Sequence, residues 1–196
     1  YSCIINPTTV GVNRGILFYG DKTQTAGFSL YIRTNTSNKI VAAISDNTTT
    51  YNITSTASIS SGSDTHISFV RDNSYIRLYI NGIEDATAIL VPSSFSLYKS
   101  TSSDLVLRVG SGMSSTTTFF NGKIGEVSIF DYALSSDDIY AIYSSIANGS
   151  ILPIETSDIY FNAEGLVGNY TEETFSWAIT NGLNDKGTEL KANSNC

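Results

Sequence analysis

The acidic side chains of this chain are spaced unfavourably for hydrolytic chemistry. Retaining cleavage of a glycosidic bond uses two carboxyl groups about 5 Å apart, which on a strand places them at i and i+2 or i+4. Glu126 stands alone on a predicted strand, and Asp131, further along, faces the opposite side. The adjacent acid pairs at 137–138 and 172–173 diverge because consecutive side chains point in different directions. We therefore predict that the chain is not a glycoside hydrolase.

The remaining bases and nucleophiles also lack a catalytic pattern. The only histidine, His66, begins a predicted strand, where we interpret it as a structural residue, and no Gly-x-Ser-x-Gly elbow is present. Cys3 and Cys196 lie almost at opposite ends of the chain and form no metal-binding spacing. Free thiols or contacts with another chain are favoured over an internal disulfide, which stays open as the alternative. We predict that the protein is not an enzyme.

Several oxygen-bearing side chains fall at predicted turns and could bind a cation. Ca²⁺ is held by carboxylate, amide and backbone carbonyl oxygens from adjacent loops. The metal candidates are Asp21, Asp46, Asn47 and Asp72. Asp and Asn also favour turns for backbone reasons alone, and this interpretation competes with the metal site. Ca²⁺ is therefore the one cofactor that we consider.

Aromatic side chains offer a second kind of site. An aromatic ring can stack on the apolar face of a sugar, and exposed Tyr is equally suited to a protein–protein contact. The candidates on loops or exposed strand faces are Tyr19, Tyr51, Tyr75, Arg77 and Tyr79, with Tyr98 near a loop. We predict that these residues contact a carbohydrate or a partner protein.

Alternating strands position these residues. In the region 65–85, Ile76, Leu78 and Ile80 point one way and the candidates Tyr75, Arg77 and Tyr79 the other, the period of a half-buried strand. Asn-Gly at 81–82 is a strong hairpin signal. The pattern predicts an antiparallel meander with one solvent-exposed face.

The rest of the chain is predicted to form further short strands followed by a single helix. Further short strands are predicted at 4–5, 15–19, 28–33, 40–45, 51–54, 105–110 and 123–131, separated by turn residues. Ser135 can cap a helix whose apolar stripe is Ile139, Ile142, Tyr143 and Ile146, with Asn-Gly at 148–149 ending it. This arrangement predicts an all-β sandwich with one short helix.

Three segments resemble a known family. They are HISFVRD with IRLYINGIEDA, then LRVGSG, then FFNGKIGEVSIFDYALSSDDIYAIY. They are similar to the laminin-G-like, concanavalin A-like lectin/glucanase superfamily, most strongly over 65–143. The resemblance implies a two-sheet antiparallel jelly-roll sandwich with a short C-terminal helix and an extended tail. One departure concerns metal binding: relatives commonly read IDEV where this chain has Gly125, which argues against a family-type ion site.

The resemblance also divides the chain into domains. Residues 1–149 are predicted to form the sandwich, and 150–196 a C-terminal arm or the start of a second repeat. The tail, with the only Trp at 177, weakly resembles the opening strand region of such domains. The start of a second repeat is slightly favoured over the two alternatives, in which the tail completes this sandwich or a neighbouring subunit's. Because the chain begins with Tyr1, we expect a processed product or a fragment held in a larger assembly.

Composition narrows the function further. The net charge is −7 with 15% charged residues, and no Lys or Arg cluster is present, so we predict no nucleic-acid binding. No apolar segment reaches the roughly 18 residues that suggest a membrane span. We predict a non-catalytic binding or structural module, extracellular or in a virion, assembled with other structural subunits. A carbohydrate-binding adhesion module of a secreted or cell-surface bacterial protein is the alternative, and a glycoside hydrolase a more distant one.

Overall fold

The computed structural model describes residues 1–21, 27–99, 105–112 and 118–147. Within these ranges the chain forms eleven strands and one helix. The elements are β1 Ser2–Pro7, β2 Gly15–Asp21, β3 Phe28–Thr34, β4 Ile40–Ser45, β5 Thr50–Thr54, β6 Thr65–Arg71, β7 Tyr75–Ile80, β8 Ile83–Glu84, β9 Ile89–Leu90, β10 Leu105–Val109, β11 Gly122–Ser128 and α1 Ser136–Ala147.

The strands form two antiparallel sheets that make an all-β sandwich. The first sheet has the order β11-β1-β6-β7-β8, with β9 also paired to β7. The second has the order β10-β2-β3-β4-β5. Every pairing between these strands is antiparallel, as in a jelly roll. The predicted fold class is confirmed for the described residues.

Apolar side chains from both sheets fill the space between them. Alternate residues of β1, β4, β6 and β7 belong to one buried cluster, so the period of two in the sequence becomes one face of each sheet. Burying one such side chain contributes about 1.5–3 kcal/mol. The members with no exposed surface are Cys3, Ile5, Ile16, Ile32, Ile40, Ala42, Ile67, Ile76 and Leu78.

The outer face of the first sheet is more covered than its sequence predicts. Tyr79 on β7 is only 4% exposed, and it packs with Val70, Leu134 and Ile139 in a second apolar cluster. Ile139 belongs to α1, which lies against this face. The expectation that Tyr79 is solvent-exposed is therefore wrong, because the apolar stripe of the helix covers it.

The start of α1 is fixed by reciprocal hydrogen bonds. The backbone N–H of Asp138 donates to Ser135 Oγ at 3.2 Å, and Ser135 N–H donates to Asp138 Oδ2 at 3.0 Å. This is the geometry of a capping box, which satisfies donors at the first helical turn. The predicted cap at Ser135 is confirmed. The helix is described as far as Ala147, and its predicted end at 148–149 lies outside the described residues.

The turn after β7 brings the hairpin close to α1. Asn81 and Gly82 have φ values of 51° and 80°, so both occupy the left-handed region, as a two-residue hairpin turn requires. A Cβ on Gly82 would lie 2.8 Å from Cδ1 of Tyr143 on α1. Glycine is needed here for its backbone and for the close approach of the helix.

Several predictions fall partly or wholly outside the described residues. Cys3 is a free, buried thiol, whereas Cys196 is not described. The domain boundary at 149 and the alternatives for 150–196 also lie outside the described ranges and stay predictions. No helix in the described part of the chain is long and apolar enough to cross a membrane.

Candidate functional site

The outer face of the second sheet carries a row of side chains across all five strands. Cross-strand pairing aligns Arg108, Phe18, Tyr31, Ala43 and Asn52 in that order. Directly paired residues share one face of a sheet. On each of the three inner strands one chain neighbour belongs to the core cluster, namely Leu17, Ile32 and Ala42, so the row faces away from it. Phe18 and Ala43 have no exposed surface. The row therefore presents the Tyr31 ring, the Arg108 guanidinium and the Asn52 amide to solvent.

Ring and guanidinium contacts order this surface. The Arg108 guanidinium lies 5.3 Å from the centre of the Phe18 ring, and the Arg33 guanidinium lies 5.7 Å from that of Tyr31. The rings of Phe28 and Tyr31 are tilted against each other with centres 5.0 Å apart. Such contacts each contribute about 0.5–1 kcal/mol at exposed sites and fix the side-chain positions.

A groove of about 350 Å³ opens beside Tyr31 and Arg33. A cavity of this size is within the range of small-ligand sites. Its lining offers an aromatic ring, an amide, a hydroxyl and two guanidinium groups, and no carboxylate from the described residues. The residues that line it are Asn13, Arg14, Gly15, Tyr31, Ile32, Arg33, Gly112 and Thr118.

Hydrogen bonds hold the loop at the edge of this groove. Arg14 N–H donates to Oγ1 of Thr34 at 3.0 Å, and that hydroxyl donates to the backbone carbonyl of Val12 at 2.6 Å. Thr34 is almost fully buried. Arg33 donates from Nη1 to Oδ1 of Asn13 at 2.5 Å. The loop and the strand are therefore joined, and the groove is preorganised.

A second surface is an apolar cleft at the edge of the sandwich. It measures about 210 Å³ and is lined by Tyr1, Leu17, Tyr19, Leu30, Leu107 and Ile129. Leu107 lies on edge strand β10 and is 41% exposed; Ile129 follows edge strand β11 and is 55% exposed. The predicted contact residue Tyr19 lies in this cleft. The cleft has the composition of a protein contact.

The other predicted contact residues are dispersed. Tyr51 is half-buried and packs edge-on against Phe95, with ring centres 5.1 Å apart. The Arg77 guanidinium lies 5.1 Å from the centre of the Tyr75 ring on the first sheet. With Tyr79 buried beneath α1, the aromatic candidates form no single site in the described part of the chain.

Two of the predicted metal ligands are used by their own turns. Oδ1 of Asp46 accepts the N–H groups of Thr48 and Thr49 at 2.8 and 2.6 Å. The hydrogen bonds from Thr49 and Thr48 hold the pKa of Asp46 below its usual value. Asp72 likewise accepts two backbone N–H groups through Oδ1, and its Oδ2 pairs with Arg77. These carboxylates act as turn-forming residues.

Of the other two metal candidates, Asp21 ends β2 and Asn47 lies in the turn between β4 and β5. Asp21 is buried, accepts the Tyr98 hydroxyl on Oδ2 at 2.7 Å, and has no partner for Oδ1. Oδ1 of Asn47 lies 2.7 Å from the position of a Cβ built on Gly27. Among the described residues no group of three or more His, Cys, Asp or Glu side chains could hold a metal ion. A Ca²⁺ site formed by these candidates stays a prediction.

His66 belongs to a small buried polar cluster. It is 2% exposed, and Nε2 lies 2.7 Å from Oγ of Ser2, which also accepts a hydrogen bond from Ser68. Burial lowers the pKa of His66 to about 4. No carboxylate contacts the ring among the described residues, so the structural interpretation fits this geometry better than a catalytic one.

Glu126, the acid that the sequence singled out, lies at an irregularity in β11. The pairing with β1 shifts between Ser2 and Ile4, and Glu126 has a φ of 50°. This is the behaviour of a β-bulge, which redirects the side chains that follow. Glu126 is exposed there.

Tyr31, Arg33 and Asn13 were missed from sequence. The sequence carries a signal for two of them, because Tyr-Ile-Arg at 31–33 repeats the tripeptide at 75–77, whose Tyr and Arg are predicted contact residues. In both, Tyr and Arg share one face of a strand. The tripeptide alone does not show whether Arg33 or Arg77 has its positive charge neutralised by neighbouring acids.

Comparison with known proteins assigns the fold. A family model described as the concanavalin A-like lectin/glucanases superfamily matches residues 1–140. Comparison with curated protein sequences gives no match.

Solved structures of the same fold include carbohydrate-binding domains. A CBM40 domain of a Ruminococcus gnavus IT-sialidase, bound to α2,3-sialyllactose, is 14% identical with a TM-score of 0.57, covering 72% of this chain and 80% of that one. Domain 4 of an extracellular GH43 arabinanase from Geobacillus stearothermophilus, in complex with arabinotriose, is 19% identical with a TM-score of 0.53, covering 72% and 64%.

A third relative is much longer than the matched region. A Bacteroides ovatus protein assigned to carbohydrate binding is 14% identical with a TM-score of 0.53. The match covers 71% of this chain and 39% of that protein. At these identities the likeness establishes the fold alone.

Proposed function

The chain belongs to the concanavalin A-like lectin/glucanase superfamily, and we propose that it is a non-catalytic carbohydrate-binding module. The observation that carries this proposal is the groove on the second sheet, where Tyr31, Arg33, Asn13 and Thr118 converge. Similar structures with bound sialyllactose and arabinotriose support it, since they use the same scaffold for sugars.

The chemistry of the groove suits a saccharide. A sugar ring presents an apolar face of C–H groups and a rim of hydroxyls. Tyr31 provides an aromatic surface for the former, and Asn13 and Thr118 provide polar groups for the latter. Because the loop and strand are already hydrogen-bonded, little conformational entropy is lost on binding.

The test compares the two Tyr-Ile-Arg surfaces on an array of immobilised glycans. Tyr31→Ala removes the ring that lines the groove and is expected to weaken glycan binding at least about tenfold, the loss of roughly 1.4 kcal/mol. Tyr75→Ala removes the ring of the other tripeptide and is expected to bind normally. If Tyr75→Ala abolishes binding and Tyr31→Ala does not, the hairpin surface is the site instead.

The same array tests the role of Ca²⁺. Because Asp46 and Asp72 are used by their turns, binding is expected to persist in EDTA. Loss of binding in EDTA, restored by added Ca²⁺, would show that a divalent ion takes part. Incubation with the bound saccharide should leave it intact, and turnover that is lost in Glu126→Gln would contradict the non-catalytic proposal.

A second candidate function is that of a structural module in a virion or another extracellular assembly. The apolar cleft with the exposed side chains of Leu107 and Ile129 favours it, because such a surface is stabilised by a protein partner. The extracellular arabinanase that shares the fold supports a location outside the cytoplasm. Native mass spectrometry is the test: an oligomer that dissociates in Leu107→Asp supports assembly, and a strict monomer contradicts it.

A further inference from the structure

We propose that the groove recognises a saccharide that carries a carboxylate, and that Arg33 binds this group. The inference rests on the proposed carbohydrate-binding function and names the ligand class of the same site. It follows from a comparison of two arginines in identical local sequence, Arg33 and Arg77.

Both arginines are held against the tyrosine two residues before them. The guanidinium-to-ring distances are 5.7 Å for Arg33 over Tyr31 and 5.1 Å for Arg77 over Tyr75. Arg77 is neutralised by two acids, with Nη1 2.9 Å from Glu84 and Nε 3.5 Å from Asp72. Its charge is satisfied within the protein.

Arg33 is positioned by neutral acceptors instead. Nη1 donates to Oδ1 of Asn13 at 2.5 Å and to the backbone carbonyl of Thr34 at 3.4 Å. No ion pair involves Arg33 within the described residues. These contacts fix the orientation of the guanidinium, and no acid in the described ranges neutralises its positive charge.

The free edge of this guanidinium matches a carboxylate. Nε and Nη2 make no hydrogen bond to any residue that the structure describes, so one N–H edge of the planar fork remains for a ligand. A carboxylate accepts two parallel hydrogen bonds from such an edge, which adds both binding energy and orientation. Because Arg33 is half-buried, the interaction is screened less than at a fully exposed site.

The charge distribution strengthens this assignment. The chain has a net charge of −7, so its average field repels anions. The groove departs from that average, with Arg33 in its lining and no acid among the described residues there. A neutral sugar would leave the uncompensated charge unused, whereas an acidic sugar places its charge where the local field is favourable.

The experiment measures the affinity for matched acidic and neutral probes by calorimetry. The probes are a trigalacturonide, its methyl ester, sialyllactose, sulfated lactose and lactose. The variants are Arg33→Gln, Arg33→Lys and the control Arg77→Gln, which removes the neutralised arginine. Thermal unfolding of each variant confirms that it is folded.

We expect at least one carboxylated probe to bind more tightly than its neutral counterpart. Arg33→Gln should weaken that binding about 10- to 100-fold, the loss of a charge-assisted hydrogen-bonded pair. Arg33→Lys should restore only part of it, since a lysine lacks the planar fork. Arg77→Gln should bind as the wild type does, and affinity should fall as salt is added.

Other outcomes separate this inference from the proposed function. Equal binding of acidic and neutral probes, unchanged in Arg33→Gln, overturns the inference and leaves carbohydrate binding intact. Preference for sulfated lactose over both carboxylated probes also overturns it, by assigning a sulfate ester. Absence of binding to all five probes overturns the inference alone. The proposed carbohydrate-binding function is overturned only if the glycan array is also negative.

Discussion

At the scale of single residues, Tyr75 and Tyr79 show how position along one strand face decides the environment of a side chain. Both lie on β7 and point away from the core cluster. Tyr79 packs with Ile139 of α1 and is buried, whereas Tyr75 remains half-exposed beside Arg77. The same residue type is therefore part of an apolar cluster at one position and of the surface at the other.

This difference predicts unequal effects of truncation. Tyr79→Ala should lower the free energy of unfolding by about 3 kcal/mol, because it leaves a cavity beneath α1. Tyr75→Ala should lower it by less than about 1 kcal/mol, since little buried surface is lost. Urea denaturation of both variants measures this, and equal losses would show that α1 does not cover Tyr79.

His66 predicts how stability depends on pH. Its pKa is lowered by burial from 6.5 to about 4, so the folded state favours the neutral ring. The contribution is fully present above pH 6.5 and is lost as the pH falls towards 4, because the unfolded chain takes up the proton first. The total loss is about 3 kcal/mol, at roughly 1.4 kcal/mol per pH unit.

The control for this prediction is His66→Gln, since His66 is the only histidine. Denaturation between pH 5 and 6.5, where most carboxylates are still ionised, should show a steeper loss of stability in the wild type than in the variant. Parallel profiles for the two proteins would mean that His66 is accessible to protons in the folded state.

At the scale of elements, the contact between the β7–β8 turn and α1 joins the helix to the first sheet. The capping box at Ser135 begins the helix, and Tyr143 passes close to Gly82. His66 also lies against this helix, with its ring centre 5.9 Å from that of Tyr143. The helix therefore depends on local capping and on a close backbone approach.

Two glycines with similar φ values separate the cost of a left-handed backbone from the cost of the close contact with α1. Gly82 and Gly62 have φ values of 80° and 74°, but only Gly82 faces Tyr143; nothing lies within 4 Å of a Cβ on Gly62. Gly62→Ala should cost about 1 kcal/mol of stability from the left-handed backbone alone. Gly82→Ala should cost at least about 1 kcal/mol more, because the added methyl displaces α1.

Thermal or urea denaturation of the two glycine variants gives the comparison. Hydrogen exchange of the amides of α1 provides the second readout and should rise in Gly82→Ala alone. Equal costs, with unchanged exchange in α1, would contradict the close packing of the turn against the helix.

The positions of the strands and the helix were largely predictable from the sequence, whereas the packing of one element against another was not. Alternation located β4 and β7 within a residue, and the Ser135 cap followed from its type and spacing. The burial of Tyr79 was not predictable, because alternation reports two faces and does not say what covers the outer one. The bulge at Glu126 was not predictable either, because a left-handed φ is unusual for glutamate and nothing in the alternation marks it.

At the scale of the whole molecule, the two outer faces of the sandwich differ. The first sheet is partly covered by α1, whereas the second presents the row that includes Tyr31 and the groove beside Arg33. The row depends on the register of the four pairings that join these five strands. Turn geometry sets some of these registers, and others join residues that are distant in the chain. Sequence periodicity predicts each strand and leaves that register open, which is why the groove was missed.

The measurement that tests the central claim most directly is an NMR titration of the uniformly labelled protein with a saccharide selected on the array. Chemical-shift changes should concentrate at residues 13–15, 31–33, 112 and 118, and should vanish in Tyr31→Ala. Changes confined to Tyr75 and Arg77, or to the apolar cleft around Leu107, would contradict a carbohydrate site on the second sheet.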